Sequence, residues 1–390
     1  MSPPTVASIL EERLSALLEY GKWVLVAYGW QKPAYGSSDS VTFGVMTCSI
    51  DEFPQVIDFL TRELDYDFNF GRSIPLPQMQ DLKNKYSAVR VWDFPLPGFS
   101  GSFDDKHGVR LVRDTCAKYA ATRWLERGVA LVDITGFTQV GPTRQLASIM
   151  SLNKALNTAY ARLRRISKAR EESGQQSLAL NFQRSTTGDG YYIWNDTWGG
   201  HGDTMVLALL LLTLSVLEHR RSEAREHPIR IKAAFTVGEV FCLADRGVTW
   251  NDEGSQIAVG PATNYLARIL GKAVSGQFLV GQFSRSTPEG FALGPSDLLG
   301  TAAALLGELL PPDLVAQTEW HFDPPGTTVR VVDKHGDAHH CYNVVGHLGN
   351  MLPTAGSQLQ KLLVRFGVPL DPSQSIETLR FVQDGDVRPL

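Results

Sequence analysis

The strongest constraint on the fold is an unbroken apolar run near the middle of the chain. Residues 205–217 read MVLALLLLTLSVL, which is hydrophobic on every face of a helix. Such a helix has to be covered on all sides. The run is shorter than the roughly 20 apolar residues that cross a bilayer. We therefore predict a helix over residues 204–219 that is buried in the core of a globular protein.

The overall charge excludes a protein that binds nucleic acid or acidic membranes through its general electrostatic field. The 390 residues carry 37 Lys and Arg against 41 Asp and Glu, a formal net charge of −4. With 43% hydrophobic and 20% charged residues, the composition is ordinary for a soluble globular chain. A polyanionic partner would therefore have to bind at a local site.

The cysteines and the beginning of the chain predict a cytoplasmic protein. No two cysteines have the spacing of a zinc site or a redox motif, so four reduced thiols are the simplest interpretation. They are Cys48, Cys116, Cys242 and Cys341. The first residues lack a basic stretch followed by an apolar one. We expect no signal peptide and no membrane span.

The distribution of helix, strand and loop signals divides the chain into three parts. Residues 1–107 form an N-terminal region of unknown role, and Pro and Gly residues predict a linker near residues 95–107. Residues 121–346 alternate helices with paired strands. We predict an α+β fold, an α/β sandwich with a mostly antiparallel sheet, plus an additional N-terminal α/β region. Residues 351–390 are predicted to be a tail of helix and loop.

Within the central part, apolar periodicity predicts individual elements. A strand over residues 129–134 is followed by a long helix over residues 145–166. The next predicted strand covers residues 177–182. After the buried helix, two separate strands are predicted over residues 229–237 and 240–243.

Two aspartates in this part form a candidate metal site. Asp133 ends an apolar strand, and Asp189 lies in a Gly-Asp-Gly turn between two strands. Taken singly, Asp133 is explained as a turn or capping residue and Asp189 as a hairpin residue. Taken together, they would lie side by side at one edge of a sheet. Paired carboxylates suit magnesium or manganese, and two such ions can hold a triphosphate and activate a hydroxyl.

A helix further along the chain presents an amide and a guanidinium on one face. Asn264 and Arg268 are four residues apart in the segment that starts at Gly260. An ordinary solvated helix face explains them if they are considered alone. An amide can also orient a sugar, and arginine is suited to phosphate groups and to the charge that develops during phosphoryl transfer.

The order of these pieces resembles the catalytic domain of class III nucleotidyl cyclases. That family carries a strand into D-I-x-G-F-T, then a G-D hairpin, then G-x-x-x-N-x-x-x-R. The matching residues here are Asp133-Ile134-Thr135-Gly136-Phe137-Thr138, Gly188-Asp189, and Gly260 with Asn264 and Arg268. The resemblance covers roughly residues 121–346, and its specificity comes from three motifs in the right order.

This resemblance implies a two-metal cyclisation. Asp133, Asp189 and the backbone carbonyl of Ile134 would bind two divalent cations, manganese or magnesium. The 3′-hydroxyl of a nucleoside triphosphate would attack the α-phosphorus and release pyrophosphate. Asn264 would position the ribose, and Arg268 would stabilise charge on the α-phosphate. In the family one subunit supplies the aspartates and the other supplies Asn and Arg, so a homodimer with two composite sites is expected.

The residues expected to contact the base depart from the purine cyclases. Adenylyl cyclases have Lys and guanylyl cyclases Glu where this chain has Ser185, and Ile257 replaces the usual Asp or Thr. Discrimination between bases needs matched polar groups. The departure resembles the pyrimidine cyclases of bacterial Pycsar anti-phage systems, which make cyclic UMP or cyclic CMP for a separate effector protein. Arg184 could donate to uracil carbonyls, and with Ile257 it favours UTP over CTP.

The same resemblance suggests three further substrate contacts. Phe137 belongs to the first motif, Tyr119 precedes the first strand where the family has a base-contacting aromatic residue, and Lys334 lies near the last hairpin. Lys334 is one residue out of the family register, and a core tyrosine is the competing explanation of Tyr119. The alternatives to a uridylate cyclase are a cytidylate cyclase, an adenylate or guanylate cyclase, and an inactive module that senses nucleotides or dimerises.

Overall fold

The chain divides into two compact units. The computed structural model describes residues 5–18, 23–32, 41–64, 73–99, 106–117, 119, 121–197, 199–222, 229–245, 255–287, 291–308, 310–323, 325, 327–353, 359–370 and 377–380. One unit comprises Met1–Leu125 with Val240–Ala258, and the other comprises Glu126–Glu239 with Val259–Leu390. The predicted linker near residues 95–107 lies partly outside the described residues.

The first unit is built on a three-stranded antiparallel sheet in the order β1-β2-β3. Strands β1 and β2 are buried along most of their length, as expected for a sheet with helices on both faces. Side chains of α1 and α4 pack in one apolar cluster and those of α2 and α3 in another. The elements are α1 (Val6–Leu18), β1 (Trp23–Gln31), β2 (Val41–Ser49), α2 (Phe53–Glu63), α3 (Leu76–Lys85), β3 (Arg90–Leu96) and α4 (Lys106–Ala117).

The second part of the chain forms a large, mostly antiparallel sheet with helices. The elements are β4 (Ala121–Ile134), α5 (Pro142–Glu172), β5 (Phe182–Thr186), β6 (Gly190–Asn195), α6 (Gly200–Ser222), β7 (Ile231–Asp245), β8 (Ser255–Val259), α7 (Pro261–Leu270), β9 (Phe278–Gly281), β10 (Arg285–Ser286), β11 (Ala292–Leu293), α8 (Pro295–Gly307), α9 (Pro312–Val315), β12 (Glu319–Phe322), β13 (Thr327–Val332), β14 (Ala338–Pro353), β15 (Leu359–Phe366) and β16 (Glu377–Arg380).

The sheet has the order β16-β13-β14-β9-β7-β4-β6-β5. Strands β12 and β15 pair with β14, and β8 pairs with β7. Only the β7–β9 pairing is parallel among the registers of the described residues. The predicted α+β fold with a mostly antiparallel sheet and an additional N-terminal α/β region is confirmed.

The apolar run of the sequence forms the centre of the second unit's core. Helix α6 packs with α5, α8 and the inward side chains of β4 and β7. It is the one helix in the described part of the chain that is long and apolar enough to cross a membrane, and 89% of its apolar window is buried in the protein. The prediction of a fully covered core helix is confirmed, although the helix is longer than the predicted range.

Three predicted elements differ from the structure. The strand predicted over residues 177–182 is wrong, because backbone groups there bond to side chains: Leu178 donates to Ser167 Oγ, and Ala179 accepts from Asn195 Nδ2. The strand begins instead at Phe182. The two strands predicted around Gly238 are one continuous strand, β7.

The predicted helix-and-loop tail is also corrected in its described part. Strand β14 continues to Pro353, and Leu359–Phe366 forms β15 in antiparallel register with it. Leu348 and Phe366, both near the end of this pairing where Gly346 pairs with Phe366, are buried in the core. The other residues of 351–390 lie largely outside the described residues.

Candidate functional site

The structure brings Asp133 and Asp189 together at the end of β4. Asp133 pairs with Gly190 in the β4–β6 register, and the Ile134 N–H donates to the carbonyl oxygen of Asp189 at 3.0 Å. A Cβ on Gly190 would lie only 1.9 Å from the carbonyl oxygen of Val132. Glycine at this position therefore permits the close approach that sets the two carboxylates side by side.

A lysine that the sequence argument did not single out lies against this pair. Lys232 Nζ is 3.0 Å from Asp133 Oδ2, and the two side chains are only 18% and 21% exposed. Lys232 follows Ile231 on β7, the neighbour of β4. Ile231 faces the apolar core, so strand alternation places Lys232 on the same face as Asp133. The contact between Lys232 and Asp133 could be predicted only once β4 and β7 were known to be neighbours.

The pKa of Asp133 is raised from its ordinary value. Burial disfavours the charged form most strongly, and the neighbouring Asp189 adds to the increase. The hydrogen bond and charge of Lys232 oppose both effects without cancelling them. A cation beside Asp133 and Asp189 would relieve this destabilisation of the charged pair.

The donor set fits a hard divalent cation held by few protein ligands. The described residues contain no group of three or more Asp, Glu, His or Cys side chains that could enclose a metal. Two adjacent carboxylates remain, and magnesium commonly uses one or two carboxylates together with substrate phosphates and water. The Ile134 side chain is a hydrocarbon buried in the core, so Ile134 can contribute to such a site only through its backbone carbonyl.

Cation binding is expected to weaken at a higher pH than an ordinary aspartate would predict. A protonated carboxyl cannot serve as an anionic ligand, and the raised pKa of Asp133 means that protonation begins earlier as the pH falls. Titration calorimetry with Mn²⁺ at stepwise lower pH should show that affinity is lost at a higher pH than for a carboxylate of ordinary pKa. An affinity that falls only where an ordinary aspartate is protonated would contradict the raised pKa.

The second half of the predicted site lies on α7. The inward face of this helix carries Ala262, Leu266 and Ile269, which leaves Asn264 exposed and Arg268 at the surface. Helix packing therefore presents both side chains on one face, as predicted from their spacing.

Arg268 is held by the hairpin between β13 and β14. Its Nη1 lies 2.5 Å from Asp333 Oδ2 and 3.0 Å from Asp337 Oδ2. Asp333 is buried and Asp337 is exposed. In this hairpin the family resemblance indicates a substrate contact only for Lys334, and neither acid is predicted from the sequence, although both lie within three residues of that lysine. Lys334 itself is exposed and makes no ion pair with the residues that the structure describes.

The residues expected around the base lie on different faces. Ser185 pairs with Tyr192 in the β5–β6 register. Tyr192 lies on the same face of the sheet as Asp133. The pKa of Tyr192 is raised, first by burial and second by the charge of Asp133. Arg184 lies on the opposite face, where it donates to Asn153 Oδ1 on α5 at 2.8 Å and covers the ring of Tyr191.

Arg184 is therefore not among the residues that the structure brings to the carboxylate face. Strand alternation explains this, since neighbours in a strand point to opposite sides of the sheet. Ile257 lies on β8 with 42% of its surface exposed. Tyr119 belongs to the first unit, where its hydroxyl lies 3.0 Å from Ser15 Oγ and its ring packs against an apolar cluster.

The loop after Asp133 forms one wall of a cavity of about 800 Å³. Gly136 adopts a left-handed conformation (φ 72°), and the Thr135 N–H donates to the carbonyl oxygen of Arg230 at 2.8 Å. Phe137 lines the cavity and packs partly against the core. Its lining is mostly apolar, with Arg144 and Arg230 as charged residues on its wall.

Comparisons with known proteins give matches to structures only. No family model matches the chain, and no curated protein does. Among solved structures, the guanylyl cyclase Cya2 is 15% identical, with 57% of this chain and 92% of that chain covered and a TM-score of 0.33. The guanylate cyclase domain of RhGC from Catenaria anguillulae, in complex with GTP, is 13% identical, with 57% and 97% covered and a TM-score of 0.33.

A third neighbour is the adenylyl cyclase CyaB from P. aeruginosa. It is 14% identical, with 57% of this chain and 95% of that chain covered and a TM-score of 0.32. All three TM-scores lie below 0.5, so these neighbours assign neither a fold family nor an activity to this chain.

Proposed function

We propose that this protein is a metal-dependent nucleotide cyclase that acts on a pyrimidine nucleoside triphosphate. The observation that carries the proposal is the meeting of Asp133 and Asp189 at the end of β4, since these carboxylates are 56 positions apart in the sequence. The presentation of Asn264 and Arg268 on one helix face supports it. Both features are what the sequence resemblance to class III cyclases requires.

In the proposed reaction the O3′ of the ribose forms a bond to the α-phosphorus, and the bond to the β-phosphate oxygen breaks. Pyrophosphate leaves, and the hydroxyl proton passes to solvent. Asp133 and Asp189 would hold two divalent cations, which lower the pKa of the attacking hydroxyl and neutralise the phosphates. Lys232 adds a positive charge beside them. Asn264 would orient the ribose, and Arg268 would stabilise charge on the α-phosphate.

The preference for a pyrimidine rests on Ser185 and Ile257. Ser185 is buried on the carboxylate face and is too short to replace the purine-specifying Lys or Glu. Ile257 offers no donor or acceptor. The contacts of Arg184 with Asn153 and Tyr191 remove one of the two arguments for uracil, so the proposed order of UTP before CTP depends on Ile257 alone.

The direct test is incubation of the pure protein with each of the four nucleoside triphosphates and Mn²⁺ or Mg²⁺. Chromatography with mass detection would identify the product. Cyclic UMP or cyclic CMP is expected. Cyclic AMP or cyclic GMP alone would overturn the base assignment and leave the catalytic proposal intact. Nucleotide binding without turnover would favour an inactive sensing module.

A composite site predicts complementation between two inactive variants. We expect Asp133→Asn and Arg268→Lys to be nearly inactive when each is purified alone. A heterodimer of the two, isolated through different affinity tags after co-expression, retains one intact site and one doubly altered site. It should recover about half of the wild-type rate per dimer. An inactive heterodimer would contradict the exchange of residues between subunits.

The proposed biological role follows from the same resemblance. A cyclic pyrimidine nucleotide made in the cytoplasm would act as a second messenger and switch on a separate effector protein during phage infection. A strain carrying the gene and a cyclic-nucleotide-activated effector should accumulate the product after infection, and the Asp133→Asn strain should not.

A further inference from the structure

Arg268 uses only one of its three nitrogens to contact the rest of the chain. Both ion pairs, to Asp333 and to Asp337, are made by Nη1. Nε and Nη2 make no hydrogen bond within the described residues. The side chain is 37% exposed. One arm of the guanidinium is therefore anchored, and the other two donors are available to an incoming oxyanion.

Asp333 is the centre of this anchor. Its Oδ1 accepts hydrogen bonds from the backbone N–H groups of His335 at 2.8 Å and Asp337 at 3.1 Å. Its Oδ2 contacts Arg268 and lies 3.1 Å from His339 Nε2. The side chain is only 4% exposed. The same carboxylate thus closes the hairpin turn with one oxygen and holds the guanidinium with the other.

These contacts keep Asp333 charged. Burial acts to raise its pKa, but the hydrogen bonds from His339 and from the backbone of His335 and Asp337, together with the charge of Arg268, hold the pKa well below its usual range. Helix α7 is fixed to the same hairpin by a second contact, in which the Tyr265 hydroxyl donates to the carbonyl oxygen of His340. Two contacts therefore hold helix α7 against the hairpin between β13 and β14.

We propose that Asp333 is the positioning residue of the active site: it fixes the Arg268 guanidinium so that Nε and Nη2 meet the α-phosphate. The inference rests on the proposed function. Lys334 is expected to contact the triphosphate directly. The buried Asp333 beside it instead acts through Arg268. A guanidinium that is already oriented loses little freedom when the phosphate charge develops, which is how positioning contributes to rate.

Asp337 makes a weaker version of the same contact. Its carboxylate is 65% exposed and reaches the same Nη1 at 3.0 Å. Because exposed ion pairs contribute little, we assign the positioning to Asp333.

The experiment compares Asp333→Asn with Asp323→Asn by steady-state kinetics with the preferred nucleotide. An asparagine at 333 keeps an oxygen for the two backbone N–H groups, so the turn is preserved while the charge facing Arg268 is lost. Asp323 is a matched control, since it accepts a backbone N–H from Leu370 through its carboxylate. Thermal denaturation of both variants checks that the fold is retained.

Asp333→Asn is expected to lower kcat about 10- to 100-fold with KM changed less than about threefold, while Asp323→Asn stays near wild type. In an Arg268→Lys background, adding Asp333→Asn should change kcat less than about twofold, because the residue acts through Arg268. Two outcomes would overturn this inference and leave the proposed function intact. One is a wild-type kcat for a folded Asp333→Asn protein, and the other is a double variant whose loss equals the product of the two single losses. Absence of turnover by the wild-type protein would overturn both the inference and the proposed function.

Discussion

Asp133→Asn should reduce cyclic nucleotide formation by about 10³-fold or more. The substitution removes one of two carboxylates that meet at the end of β4 and would leave the proposed cation site with half its anionic protein ligands. The neighbouring Lys232 would then lose its ion-pair partner and add positive charge at the position proposed for the divalent cations. The lost carboxylate and the positive charge of Lys232 would both weaken cation binding.

The fold of this variant is expected to survive. Burial and Asp189 raise the pKa of Asp133, which shows that its charged form is unfavourable in the folded protein. A neutral amide of the same shape removes that penalty. Thermal denaturation should therefore give a midpoint close to that of the wild type.

A second acid of the same sheet provides the control. Asp196, which directly follows β6, is exposed, but its carboxyl pKa is also raised, chiefly by desolvation, and it accepts a hydrogen bond from Gln183 Nε2 at 2.7 Å. Asp196→Asn should leave the rate of cyclisation near the wild-type value. An active Asp133→Asn protein, or an equal loss in both variants, would contradict the assignment of Asp133 to the cation site.

Arg268→Lys is expected to lower kcat about 10²- to 10³-fold while the protein stays folded. Lysine preserves the positive charge opposite Asp333 and Asp337, so no buried carboxylate is left without a cation. It lacks the planar fork, however, and a single ammonium cannot contact Asp333 and offer two further fixed donors to a phosphate. The loss should therefore appear in the transition state more than in nucleotide binding.

Steady-state kinetics and nucleotide affinity together check this prediction. Arg170→Lys is the matched control, since Arg170 also forms an ion pair, with Glu308, and lies on α5 away from the hairpin. Its kcat should be unchanged. If Arg268→Lys mainly raised KM and left kcat intact, Arg268 would be a ground-state binding residue and the proposed role in stabilising the α-phosphate would be wrong.

Part of the candidate site could be predicted because its residues act within one element. The spacing of Asn264 and Arg268 already places them on one helix face, and the apolar stripe of α7 decides which face is exposed. Asp133 is the penultimate residue of a strand whose other face is buried in the apolar core, so its carboxylate lies at the end of that strand. The adjacency of Asp133 and Asp189 is a less local prediction, and the register of β4 and β6 bears it out.

The predicted residues that the structure does not bring to the site differ from expectation in the direction of their side chains. Arg184 and Ser185 are neighbours in sequence, yet one contacts α5 and the other lies on the carboxylate face. Tyr119 lies ten positions before the strand predicted over residues 129–134, and its hydroxyl and ring are used in the packing of the first unit. Sequence proximity does not separate Arg184 from Ser185, because a shift of one residue in a strand reverses its face.

The sequence by itself determined the chemical inventory: two carboxylates after or between strands, a guanidinium on a helix, and an apolar helix that had to lie in the core. These follow from periodicity and residue type, which act over a few neighbouring positions. Only the tertiary structure decided that Lys232 contacts Asp133. It also decided that Arg268 forms ion pairs with Asp333 and Asp337, which lie 65 and 69 positions further along the chain. Such contacts depend on which strands become neighbours and in what register, and that is set by the packing of the whole sheet against its helices rather than by any local pattern.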